Sequence, residues 1–164
     1  MDNRIVELIE AYEKSGGKVR QSIAGLTAAQ LTAFPVPGIW SIQQIVLHLM
    51  DSESIGANRM KKIIAMDLPL LMSYDETKFS QRLHYHDQSV EDAVTIIELH
   101  NRQMARILRR LPDEAFARKA IHNEIGAVTL GWFMERMVQH TEHHLKFIHD
   151  KRKMIQQSSS GQSK

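Results

Sequence analysis

An all-α four-helix bundle is the fold class this sequence predicts, on three observations. Four long stretches repeat apolar residues at the i, i+3, i+4, i+7 spacing of an amphipathic helix, and none shows the alternation of a strand. Ser/Thr-x-x-Gln capping signals precede two helical stretches, and Pro or Gly clusters separate them. The 164 residues make about one domain, and 43% hydrophobic with 24% charged residues is ordinary for a globular chain.

The first helix is expected from Asp2 to about Leu26, with Ile5, Leu8, Ile9, Tyr12, Val19, Ile23 and Leu26 on one face; Gly16-Gly17 is a point where it could bend or break. Thr27 caps a short turn, and Phe34-Pro35-Val36-Pro37-Gly38 must be a loop. The second helix starts at a capping box, Ser41 with Gln44, and stops before Pro69. Its start, Ile42 to Met50, is apolar on most sides, which predicts a central position. Met66 to Gln88 lacks periodicity and reads as a long connection, able to run the length of a bundle and shape a site. The third helix begins at Ser89 and reaches about Leu111. Arg102, Arg106, Arg109 and Arg110 gather at its end, where a solvated face complementing the helix dipole explains them better than a phosphate site. Ile121 to Val128 reads as a short irregular connector. The fourth helix runs from Thr129 to Met154. The domain is therefore assigned to residues 1–155, and the polar tail 156–164 is expected to be disordered.

Composition excludes several function classes. A net charge of +2 from 21 basic and 19 acidic residues argues against a nucleic-acid surface. Without cysteine there is no disulfide, thiol nucleophile or thiolate metal ligand. The charged N-terminus does not read as a signal peptide, and no apolar run reaches bilayer length, so no membrane partner is expected and the expected location is the cytoplasm.

Chemistry concentrates on the fourth helix. Leu130, Phe133, Met134, Met137, Val138, Leu145 and Ile148 form its apolar stripe. At roughly 100° per residue, His144 falls inside that stripe and His140 at its edge, while His143 falls outside it. Imidazoles at i and i+4 stand one above the other, close enough to share a metal ion; equally, each could be a hydrogen-bonded polar core residue. Position 141 is threonine, so the H-E-x-x-H protease motif is absent. A third ligand decides between these readings. His48 lies near the start of the second helix and converges with His140 and His144 if the two helices are antiparallel neighbours. Three protein ligands leave a coordination position open for water or substrate. His84 and His86 read as loop surface.

The segments P-G-I-W-S-I-Q-Q-I-V-L-H-L-M-D-S-E (37–53) and I-G-A-V-T-L-G-W-F-M-E-R-M-V-Q-H-T-E-H-H-L (125–145) together resemble the DinB-like metal-binding four-helix bundles, related to bacillithiol- and mycothiol-dependent thiol enzymes. The resemblance implies a metal triad of His48, His140 and His144, an up-down-down-up bundle with its long connection between the second and third helices, and a homodimer. Trp40 would pack at the start of the second helix. The function implied is a divalent-metal-dependent enzyme, with zinc or nickel as the ion, of the thiol S-transferase type, joining a low-molecular-weight thiol to a small-molecule substrate. A metal-dependent hydrolase is the alternative within that class. A non-catalytic metal- or ligand-binding stress-response module is a second class, and a metal-free bundle with three polar core histidines a third. No catalytic base or cofactor-binding residue is assigned.

Overall fold

The computed structural model describes residues 2–161. Four long helices carry the fold: α1 (Asn3–Ile23), α3 (Ile42–Ala65), α5 (Val90–Leu108) and α6 (Leu130–Gly161). Two short helices, α2 (Ala28–Thr32) and α4 (Glu76–Arg82), lie in the connections. Local chemistry sets the starts. Asp2 accepts from the Arg4 amide, Ser41 and Gln44 form the expected capping box, and Thr129 Oγ1 accepts from the Trp132 amide.

Side-chain pairs fix the helix directions. Arg20 of α1 bonds Glu91 and Glu98, early in α5, whereas Glu13 meets Arg109 at its end, so these helices are antiparallel. Lys18 pairs with Glu142, and Arg152 donates to the Ser22 carbonyl; α1 and α6 are parallel. His48 meets His140 while Gly56 faces Met137, which makes α3 and α6 antiparallel. Gln43 bonds the Gln88 carbonyl just before α5, and Lys61 bonds Gln103 further along, so α3 and α5 are parallel. The topology is up-down-down-up, with α1 diagonal to α3 across the bundle.

Three features lay outside the sequence reading. Residues 66–129 contain a small sheet: β1 (Leu70–Leu71) pairs in parallel with β2 (Lys119–His122), which forms an antiparallel hairpin with β3 (Gly126–Thr129). These strands are too short for a periodic signal. Gly16-Gly17 does not interrupt α1. A Cβ on Gly16 would stand 3.0 Å from the Glu98 Cα, so this glycine lets α5 approach closely, and its amide donates to Asn101 Oδ1 at 2.8 Å. Finally, α6 continues past Met154 to Gly161, because the Gln-Gln-Ser run after Ile155 supplies neither proline nor glycine to stop a helix already nucleated. Of the tail expected to be disordered, 162–164 lies outside the described residues.

The core has two apolar halves. Ile9, Met60, Ile63, Met104, Leu108 and Met134 fill the half nearer the sheet, and Val19, Ile45, Val46, Val94, Ile97 and Ile148 the other. Between them lies a layer of buried polar groups, Ser15, Ser52, Glu53, Asn101 and Thr141, with the three inward histidines at its edge. Among the described residues, no helix is long and apolar enough to cross a membrane.

Candidate metal centre

His48 occupies the second turn of α3, 1% exposed, and faces α6. Because α3 and α6 run in opposite directions, the start of one meets the middle of the other. One ring nitrogen from each of His48, His140 and His144 comes within 4.8 Å of the other two. His48 Nε2 and His140 Nε2 are 3.1 Å apart. Trp40 lies against the His48 ring at 5.0 Å, packing at the helix start as expected and holding the imidazole in place. His143 faces away: it is exposed, and its ring contacts Phe147 and the edge of His144. The helical-face argument therefore separates the neighbours as the structure does. His84 is exposed and His86 stacks on Phe34, both outside the cluster.

All three clustered imidazoles are neutral at physiological pH. Burial, with repulsion from the other two rings, lowers His48 to about 3. Burial and nearby Arg136 and His143 lower His140 to about 4, and burial with His140 and His143 lowers His144 to about 4. Neutral imidazole is the ligating form. The Nδ1 atoms of His48 and His144 are buried without a hydrogen-bond partner among the described residues. Three converging neutral imidazoles are a donor set that one divalent cation would satisfy together.

A carboxylate stands beside them. Glu76, at the start of α4, places Oε2 3.7 Å from His48 Nε2, and its side chain is exposed to the open space at the cluster. With His48 neutral this is proximity rather than an ion pair. Two cavities meet here. The polar one, about 300 Å³, is lined by His48, Ser52, Arg59, Tyr74, Arg136 and His140. Arg59 is held by the Met72 carbonyl and stacks over the Phe133 ring, and Tyr74 bonds Ser52. Burial raises the Tyr74 phenol above its ordinary value, so it stays a hydrogen-bond donor. The second cavity, about 500 Å³, is mostly apolar and starts at His144; Glu76 lines both. Sequence reasoning missed Glu76, Arg59 and Arg136. Glu76 sits in the aperiodic connection, where nothing marks one acid among several, but both arginines belong to helices whose faces could be read.

Fold and site together define a class: an up-down-down-up helical bundle with an open three-histidine cluster on two antiparallel helices. The chain belongs to the DinB superfamily, whose family model matches residues 11–148. It is 29% identical over 142 residues to the provisionally named metal-dependent hydrolase YfiT of Bacillus subtilis, spanning 85% of this chain and 79% of that one. A similarly named protein of Oceanobacillus iheyensis is 26% identical over 144 residues, 88% of this chain and 83% of its own. The solved structure of Bacillus subtilis YfiT, described as an unusual four-helix bundle, superposes with a TM-score of 0.87 at 23% identity, covering 94% of this chain and 90% of that one.

Proposed function

We propose that this protein is a divalent-metal-dependent hydrolase of small molecules, with His48, His140 and His144 as ligands and Glu76 as the proton-transfer group. The observation that carries the reading is the Glu76 carboxylate, 3.7 Å from a ligand nitrogen and open to both cavities. A divalent ion held by three histidines supplies an acidified water and polarises a carbonyl or phosphoryl oxygen. The chain's own residues do the rest. Glu76 takes the proton from the attacking water and delivers it to the leaving group once the scissile bond breaks. Arg59, Arg136 and the Tyr74 hydroxyl point charge and a donor into the polar cavity, where an oxyanion develops. Trp40 and the α4 connection cover the cluster. The names of the relatives support hydrolysis. The thiol S-transferase expectation would use the same histidines, but no group lining the cavities singles out a thiol.

Elemental analysis of the untagged protein, followed by a screen of aryl esters and amides with zinc and nickel, tests this. About one ion per chain is expected. Glu76→Gln should keep that ion and lower kcat on the order of 100-fold or more. No metal after incubation with either ion, or full activity in Glu76→Gln, refutes the reading.

A further inference from the structure

Past the cluster, α6 carries His144, Phe147, Lys151 and Met154 along one stripe, at steps of three and four residues. The loop from Val36 to Trp40 faces this stripe, and the space between them is the apolar cavity of about 500 Å³. Ile39, Trp40, Ile45, Phe147 and Met154 supply its walls. Ile39, Phe147 and Met154 remain exposed around the mouth, an apolar rim open to solvent. One wall residue is out of character. Lys151 is only 4% exposed, and its ammonium makes no hydrogen bond or ion pair with any described residue. Asp150 and Glu76 also line the cavity, but both are exposed and neither lies within ion-pair distance of Lys151. Burial alone lowers its affinity for a proton, which is the signature of a cation with no counter-charge beside it. An ammonium with little water around it and no counter-charge is costly, and a bound anion would offset the cost.

We infer that this cavity binds the apolar, carboxylate-terminated portion of a small molecule, with Lys151 as the counter-charge. The apolar walls take the chain or ring, and the ammonium takes the anionic end. His144 and Lys151 are seven residues apart on one helix, about 10 Å of rise at 1.5 Å per residue. A substrate reaching from the histidine cluster into this cavity therefore carries its carboxylate on the order of two helical turns from the group being cleaved. Assigning the ligand as a substrate rests on the hydrolase reading; binding at Lys151 does not need the metal.

Calorimetric titration of the full chain with octanoate, and with octan-1-ol as the neutral control, tests the inference in metal-free and zinc-loaded protein. Octanoate should bind one per chain in both forms. Lys151→Met keeps the apolar stem and should weaken octanoate about 10-fold or more, while changing octan-1-ol affinity less than about twofold and leaving the zinc content intact. Because the variant removes a poorly hydrated, unpaired cation and keeps the buried stem, its melting temperature should be equal to or above that of the parent. Ile39→Glu, at the exposed mouth, gives a second variant that should repel octanoate without touching the core. Equal binding of octanoate to the parent and Lys151→Met overturns the inference. So does binding that requires zinc, or a parent that binds no octanoate. Zinc-loaded protein that binds octanoate through Lys151 yet hydrolyses nothing would refute the hydrolase reading and leave this site standing.

Discussion

Replacing Glu53 by glutamine should stabilise the protein, by an amount that grows as pH rises from about 4.5 to about 7 and is complete above that. Glu53 lies in the polar layer between the two core halves, 4% exposed, where it accepts the Tyr12 hydroxyl beside Asn101. Burial raises its pKa to about 7, with the Tyr12 and Asn101 contacts pulling the other way. In the unfolded chain the same carboxyl titrates near 4.5. Below 4.5 it is protonated in both states and costs nothing. As pH rises towards 7, the unfolded chain loses the proton first, so stability falls through this interval, and above it the whole penalty applies. The gap from 4.5 to about 7, at about 1.4 kcal/mol per pH unit, comes to roughly 3 kcal/mol. Glutamine has the shape of the protonated acid, still accepts from Tyr12, and cannot ionise. Urea unfolding of both proteins at pH 4.5 and 8.5, under identical metal conditions, measures the difference directly. The two should be nearly equal at pH 4.5, with Glu53→Gln more stable by about 3 kcal/mol at pH 8.5. An equal difference at both values, or a less stable variant at pH 8.5, refutes the reasoning. Comparing variant with parent also cancels the histidines, whose lowered pKa values give the opposite slope in acid.

Two further predictions concern the helix faces. His48→Ala should abolish stoichiometric zinc uptake, read by elemental analysis, whereas His143→Ala should leave it within error; a loss in His143→Ala as large as that in His144→Ala would contradict the face assignment. Gly16→Ala should cost about 1–3 kcal/mol, since the new Cβ would meet the Glu98 backbone at 3.0 Å, while Gly17→Ala, with nothing within 4 Å, should gain about 0.5–1 kcal/mol. Urea midpoints read both, and equal effects at the two glycines would show that helix propensity rather than close approach decides.

What the sequence made legible follows the range of the physics involved. The inward direction of His140 and His144, and the outward one of His143, are local consequences of helical rotation, readable from a few neighbours. His48 needed one long-range fact, the antiparallel placement of α3 and α6, and the motif resemblance carried it. Gly16 was read as a local weakness because its reason lies on α5, outside any window along the chain. The sheet escaped because two- and four-residue strands are defined by pairing partners, not by their own pattern. Lys151 was within reach: it follows Ile148 by three residues on the buried stripe, and a lysine on an apolar face is a signal. Glu76 was not, because an exposed carboxylate in an aperiodic segment acquires meaning only from what it lies against.

That segment is a consequence of the topology. Since α3 and α5 run parallel side by side, the chain leaving α3 must travel back along the bundle before α5 can begin. It does so against α3: Met72 meets Arg59, Tyr74 meets Ser52, Glu76 meets His48, Ser80 meets Gln44, and the turn at Tyr85 and His86 meets Gln43. The same α3 face that carries His48 is thus roofed by the return path. An up-down-up-down bundle, with short hairpin loops, would leave a histidine cluster at this height open along one side. Here the crossover supplies the carboxylate, the phenol and part of the lining of both cavities. The bundle topology, rather than an added domain, gives the three histidines a roof, a neighbouring carboxylate and two adjoining cavities.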